Sequence, residues 1–368
     1  MKIIAVGDIM PGGLLSLSNT PFVSDYVSDE VRLFLESGDI RVGNFECAIE
    51  IPNPDGKKYS AGGNTIFVKE KDVYRVKELG INVVSVANNH IFDLGPQGAQ
   101  KTIEFLDKFG IQHCGAGRNL KEASAPVVIE KYGKSYAFIA FSDTSLQFMY
   151  EATEFTPGVN PLNEIHVINE IKKNSKKYDY VIVLPHWGVE YMQFPSSQVV
   201  RLSKLMIKAG ASLVLGGHSH RVQPVVNLRG KSVAYSMGNF LFPDRIINSP
   251  RFTWYPIDSI NINSLPFVIG NCPVVKEPTI KYWRPCAYCG IMVCCMIDSG
   301  FVKTTYKLTY FEKNRVTVLK KGLLKKTIVL TLIGLATRSY FYSTIYKLYL
   351  INMKFKRILK RFRKKYLG

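Results

Sequence analysis

Five apolar runs in this 368-residue chain are each short enough to be a buried strand, and each ends on side chains that ligate cations. MKIIAVGD stops at Asp8, DIRVGNFE at Glu46, GINVVSVANNH at Asn88 to His90, IKKNSKKYDYVIVLPHWG at His186, and GASLVLGGHSH at His218 and His220. β-Branched residues followed by polar groups where the run stops are the pattern of a buried strand. Parallel strands lie side by side, and open α/β sheets bind ligands beyond the carboxyl ends of their strands. Four of the six histidines fall in these clusters. Residues far apart in the chain are therefore expected to meet in one metal site.

Between the strand ends the pattern turns helical. Residues 69–79 carry Val73, Val76 and Leu79 before Gly80, and residues 99–109 carry Ile103, Leu106 and Phe109 before Gly110. Residues 164–178 and 196–209 are amphipathic as well, the second opening on a capping Ser196 and closing at Gly210. Strand, ligand-bearing loop, helix, strand is the βαβ alternation. Residues 127–143 read instead as two strands joined at Tyr132 to Lys134, and a second antiparallel set runs from Gly290 to Leu319. A mixed α/β architecture follows, with long loops between Pro243 and Pro285.

Charge divides the chain in two. Of 48 Lys and Arg residues, 18 lie between Lys303 and Lys365 against one acid, Glu312, leaving 30 basic and 28 acidic residues in the first 302. We expect a body over residues 1–320 and a tail over 321–368. TIVLTLIGLAT is too short an apolar run to span a bilayer unaided. Tyr340, Phe341, Tyr342, Tyr346 and Tyr349 then precede KFKRILKRFRKK. Aromatic residues beside clustered Lys and Arg suit an anionic membrane surface, at about 1 kcal/mol per basic residue. No recognition motif accompanies the charge, so nucleic acid is not the expected partner. MKIIAVGDIM enters a strand without an apolar leader, and the expectation is a cytoplasmic protein held at the inner face of the membrane. CAYC, among seven cysteines, has no second pair or nearby histidine to complete a zinc set, and reads as packing.

Two divalent cations about 3.5–4 Å apart need a bridging acid and neutral nitrogen donors. Glu46 is placed to bridge, Asp8 and His220 to complete one ion, and Asn89, His186 and His218 the other. Two-residue spacing around a turn lets the GGHSH histidines serve both ions, with Gly216 and Gly217 allowing close backbone approach. Oxygen and imidazole donors without thiolate suit Mn, Fe or Zn. His90 is placed as a proton donor. Arg221 and Asn239 are candidates for contacting an anionic substrate, while Trp187 and Tyr191 read as packing.

GDIM, GNFECAI, SVANNHIFDLGPQG, LPHWGVEY, GGHSHRVQP and YSMGNFLF, in this order, resemble the CapA capsule synthesis or poly-γ-glutamate biosynthesis family, within the calcineurin-like metallophosphoesterases. The resemblance covers about residues 1–242 and continues weakly to about 320. It implies a four-layer αββα sandwich of two mixed sheets and a dinuclear site. Asp8, Glu46, Asn89, His186, His218 and His220 would be the ligands, and His90 the acid-like histidine. Two positions depart from the superfamily: Met10 stands where a histidine is usual, and the bridging acid is Glu46 rather than aspartate. The first ion is expected to be coordinated differently. Many members carry an amino-terminal membrane anchor, for which the basic tail is the expected substitute.

The expected function is metal-dependent hydrolysis of a phosphoester or amide-type bond during synthesis of a cell-envelope polymer, on an anionic polymer or phosphorylated substrate. The alternative is a non-enzymatic subunit of a polymer synthesis or export complex.

Overall fold

The structure is a computed structural model that describes residues 1–17, 22–51, 66–145, 150–247 and 279–366. In chain order its main strands begin with β1 (Lys2–Ile9), β2 (Ile40–Phe45), β3 (Val83–Ser85), β4 (Gln112–Cys114), β5 (Val127–Lys131), β6 (Lys134–Ser142) and β7 (Tyr180–His186). They continue with β8 (Ala211–Leu215), β9 (Val225–Leu228), β10 (Lys231–Ala234), β11 (Asn239–Leu241), β12 (Cys289–Asp298), β13 (Phe301–Glu312) and β14 (Arg315–Val318). The main helices are α1 (Asp29–Glu36), α2 (Glu70–Glu78), α3 (Gly95–Lys108), α4 (Glu164–Ser175), α5 (Ser197–Ala209), α6 (Leu323–Arg338) and α7 (Tyr342–Tyr366).

Eight strands form one sheet in the order β14-β13-β12-β1-β2-β3-β4, with β11 also paired to β1. Six form the other, in the order β9-β10-β8-β7-β6-β5. Parallel pairing links β1 to β4 through the ligand-bearing strands and joins β6, β7, β8 and β10. Antiparallel strands lie outside these blocks, so both sheets are mixed.

Strand alternation sets the layers. Along β1, Ile3 and Ala5 enter one core while Ile4 and Val6 enter another. Along β7, Ile182 and Leu184 share the core of Ile3 and Ala5, whereas Val181 and Val183 face a third. Successive strand side chains point to opposite faces, so the shared core lies between two stacked sheets. The outer cores are closed by helices, through Val31, Val73, Val76 and Leu106 on one side and Val167, Ile171, Val199 and Met206 on the other. The result is the expected four-layer αββα sandwich.

Local signals account for the element ends. Ser196 accepts from the Val199 amide at 3.2 Å, and Gly210, at φ +119°, ends α5 in the left-handed conformation. Helix α3 starts at Gly95, ahead of the expected residue 99, because Pro96 suits a first helical turn. Between β5 and β6, Tyr132 and Gly133 both have positive φ, as a tight hairpin requires.

Of the expected loops from Pro243 to Pro285, residues 248–278 lie outside the described residues. Arg245–Ile247 pairs antiparallel with Thr279–Lys281, and the chain returns through buried Trp283. Beyond residue 321, helices α6 and α7 pack on the body. Leu330, Ile333, Gly334 and Thr337 are buried, with Gly334 facing Val226 and Pro224. The Tyr342 hydroxyl donates to the Pro195 carbonyl at 2.7 Å, and the Tyr349 ring stacks on Phe194 at 4.3 Å. Among the described residues no helix is long and apolar enough to cross a membrane.

The tightest backbone approach in the first sheet is at Gly7. A Cβ there would lie 1.7 Å from the Gly238 carbonyl oxygen, which accepts from the Asp8 amide at 2.9 Å. Gly7→Ala should therefore destabilise the protein by about 3 kcal/mol, a cost on the scale of overpacking. Gly133→Ala, with open space around its Cβ, should cost about 1 kcal/mol for the left-handed backbone alone. Urea denaturation compares the two, and equal costs would contradict the close parallel pairing of β1 with β11 and the preceding Gly238.

Candidate metal centre

Every expected ligand lies at or just beyond the carboxyl end of a central strand. Strand β1 delivers Asp8, whose register partners are Asn44 on β2 and Asn239 on β11. Glu46 follows β2, Asn88 to His90 follow β3, and β7 ends on His186, which bridges Gly217 beyond β8. His218 and His220 come next, at φ +83° and +48°. Left-handed backbone at two histidines is costly and is retained where the surroundings impose it. It lets both imidazoles turn into one pocket, as the turn expected at GGHSH requires. Gly217 is needed there, since its Cβ would lie 2.7 Å from Asp8 Oδ1.

The donors fall into two sets that share one carboxylate. Glu46, His186 and His218 form one, and Asp8, Glu46 and His220 the other, with the donor atoms of each set within 4.8 Å of one another. All five residues are buried. His186 Nε2 lies 3.5 Å and His220 Nε2 3.7 Å from the same Glu46 Oε1. Asn89 joins the first set through its Oδ1, 2.8 Å from His186 Nε2. On the second, Asp8 Oδ2 is 3.5 Å from His220 Nδ1.

Burial makes this arrangement unfavourable without a cation. Asp8 Oδ2 and Glu46 Oε1 are buried and accept no hydrogen bond. Burial, and then the Asp8 charge, pushes the Glu46 carboxyl well above its ordinary range. Burial, and then neighbouring imidazoles, holds His186 and His218 well below theirs. These histidines are therefore neutral donors rather than ion-pair partners of Glu46. Orphaned carboxylate oxygens facing neutral imidazoles match the donor set of Mn, Fe or Zn, and the residues present fit two divalent ions.

Two neighbours orient the ligands. Asn239 Oδ1 accepts from His220 Nδ1 at 2.8 Å, leaving Nε2 facing Glu46. Asn44, which the sequence reading missed, directs its Nδ2 at Asp8 Oδ1, 2.9 Å away, and at Glu46 Oε2, 3.3 Å away. Its Oδ1 in turn accepts from Asn88 at 3.1 Å. Met10 is buried in the core between the first sheet and its helices.

His90 is paired with Asp93, the second residue missed. Its Nδ1 lies 2.7 Å from the buried carboxylate Oδ2, which also accepts from the Ile66 amide at 2.6 Å. Burial raises the Asp93 pKa, while His90 opposes the shift. With Nδ1 held by Asp93, Nε2 accepts from Asn89 Nδ2 at 3.2 Å, beside the first donor set.

Arg221, read as a substrate contact, is engaged by the protein itself. Its guanidinium donates to the Tyr191 carbonyl at 3.2 Å and to Gln193 Oε1 at 2.9 Å, fixing the loop after β7. Trp187 is packing, as expected, and donates to the Tyr235 carbonyl at 2.8 Å. The missed Trp283 lies 5.0 Å from the His220 ring, centre to centre, and Tyr191 6.1 Å from it. The exposed Arg284 stacks its guanidinium 4.2 Å above Tyr191.

Metal must displace the proton that Glu46 holds at its raised pKa, whereas His186 and His218 stay neutral until the pH falls to their lowered values. Adding Mn²⁺ at pH 8 to metal-free protein, at a hundredfold excess over its Kd, should raise Tm by about 5 °C. The rise should shrink as pH falls through the Glu46 titration. A rise of equal size at pH 8 and pH 5, followed by differential scanning fluorimetry, would contradict the shared-carboxylate site.

Comparison with known proteins adds relatives. The chain is 34% identical over 243 residues to the capsule biosynthesis protein CapA of Bacillus anthracis, covering 64% of this chain and 58% of that one. It is 31% identical over 240 residues to the PGA biosynthesis protein CapA of Bacillus subtilis, covering 64% and 62%. It thus spans about three fifths of the length of these relatives. Among solved structures, a phosphatase from Mycoplasma pneumoniae aligns at TM-score 0.46 and 13% identity, covering 88% of this chain and 96% of that one. A putative 5′-nucleotidase from Staphylococcus aureus aligns at TM-score 0.44 and 10% identity, covering 90% and 57%. The model of the family described as bacterial capsule synthesis protein PGA_cap matches residues 2–244, the span that carries all the expected ligands, and the chain belongs to that family.

Proposed function

We propose that this protein is a metal-dependent hydrolase of capsule or poly-γ-glutamate synthesis, acting on a phosphoester or amide-type bond of an anionic substrate. The observation that carries the reading is the pair of buried donor sets sharing Glu46, with the His90–Asp93 pair beside them. Bound there, two divalent ions would polarise the scissile group and activate water. The protein's own groups do the rest. Asp8 and Glu46 hold the ions' charge in a buried pocket, and Asn44 and Asn239 keep the ligands oriented. Protonated at Nε2 in place of the bond accepted from Asn89, His90 would give its proton to the leaving group, and the Asp93 carboxylate at Nδ1 would stabilise the imidazolium until then. Exposed Arg284, stacked on the Tyr191 ring beside His220, would supply a positive charge for an anionic substrate.

A second reading is favoured by Met10. With an apolar side chain at that position, the Asp8 side offers three protein ligands, and the site could bind an anionic polymer for a synthesis or export complex without turning it over. Kinetics separate the two. Metal-loaded protein should hydrolyse at least one of p-nitrophenyl phosphate, bis-p-nitrophenyl phosphate and γ-glutamyl-p-nitroanilide. Glu46→Gln should lose metal and turnover together, whereas His90→Ala should keep its metal and lose about a hundredfold or more in kcat. Unchanged kcat in His90→Ala with metal content confirmed removes the acid role. A fully metal-loaded wild type inactive on all three substrates favours the binding subunit.

A further inference from the structure

Helices α6 and α7 each have two apolar faces, and the body covers only one of them. On α6, Leu330, Ile333, Gly334 and Thr337 recur at helical spacing on the buried side. Leu324, Ile328, Leu332 and Leu335 recur at the same spacing on the opposite side and are exposed, Leu324 by 75%. On α7, Tyr342 and Tyr346 dock on the body while Leu348, Ile351 and Phe355 face outward. At the corner between the helices, Tyr340 is 99% and Phe341 71% exposed. A helix that needed only to pack on the body would be polar on its other side. Here that side is apolar, and the charged positions beside it are all basic: Lys325, Arg338, Lys347 and Lys354. From Lys321 to Gly368 there are 13 Lys and Arg residues and no acid.

We propose that the outward faces of α6 and α7, with the Tyr340–Phe341 corner, form a surface that lies in the headgroup layer of an anionic bilayer. Charge complementarity selects this occupant. Apolar side chains flanked by lysine and arginine, with aromatic residues at the edge, match a negatively charged interface, whereas a second copy would bring its own net positive face against this one. α6 has only 16 residues, fewer than the roughly 20 a spanning helix needs, so the helix lies along the surface. Helix α7 holds the loop after β7 through Pro195 and Phe194, and that loop carries Tyr191 beside His220. The candidate metal centre is thereby tied through this loop to α7. This inference is independent of the chemistry proposed for the metals.

Sedimentation of the full chain with vesicles tests it. At low salt the protein should pellet with equimolar phosphatidylcholine and phosphatidylglycerol at least about tenfold more than with phosphatidylcholine alone, and the excess should fall as salt shortens the screening length. The variant Leu332→Glu/Leu335→Glu changes only exposed positions, and should keep the wild-type Tm and metal content while losing about tenfold or more in vesicle binding. Ile351→Glu/Phe355→Glu should do the same from the second helix. Equal binding to neutral and anionic vesicles, no binding by the wild type, or full binding by both variants would overturn the proposal. So would light scattering that finds a dimer in the wild type and a monomer in either variant, because the face would then be an interface between copies.

Discussion

Two carboxylates, Asp8 and Glu46, are held fully buried and close together, each with an oxygen that no donor reaches. In a protein interior this is a severe penalty, because desolvated like charges repel and hydrogen bonds are the usual compensation. The surrounding structure supplies neutral nitrogen donors rather than cationic side chains. Burial keeps His186 and His218 unprotonated, and Asn44 gives hydrogen bonds to both acids without bringing charge. Such a pocket gains most from divalent cations. The mixed topology follows from the same need, since parallel central strands carry these side chains to one edge of the sandwich.

The backbone is arranged to the same end. Two histidines adopt left-handed conformations, and Gly7 and Gly217 sit where a methyl group would meet a carbonyl oxygen or a ligand oxygen. The parallel pairing of β1 and β11 sets Asn239 beside Asp8 and within reach of His220, and the turn at His218 and His220 aims two imidazoles at a single glutamate. Left-handed backbone at His218 and His220 thus serves the pocket, whereas at Tyr132, Arg229, Ser299, Lys313 and Asn314 it closes turns between antiparallel strands.

Much of this was legible in the sequence because it is carried by periodicity and punctuation. Each strand ended where its apolar run met a ligand, and Gly80, Gly110 and Gly210 marked helix stops. The six positions read as ligands lie together in one pocket. Asn44 escaped because it sits inside a strand motif, where an asparagine reads as an interruption rather than as a donor to the residue two places on. Asp93 was hidden because a spacing of three from His90 becomes a contact only once the loop coils. Trp283 returns to His220 through tertiary packing across a long insertion, which no local pattern reports. The docking of α6 and α7 was obscured for a different reason: α6 has apolar residues on two opposite faces, so its periodicity does not say which face meets the body.

The central claim is that Glu46 is shared between two metal ions. Anomalous diffraction from crystals of the Mn²⁺-loaded protein measures it directly. The account predicts two peaks about 3.5–4 Å apart, with Glu46 between them, His186 and His218 on one ion, and Asp8 and His220 on the other. A single ion, or two ions without Glu46 as a common ligand, would contradict it.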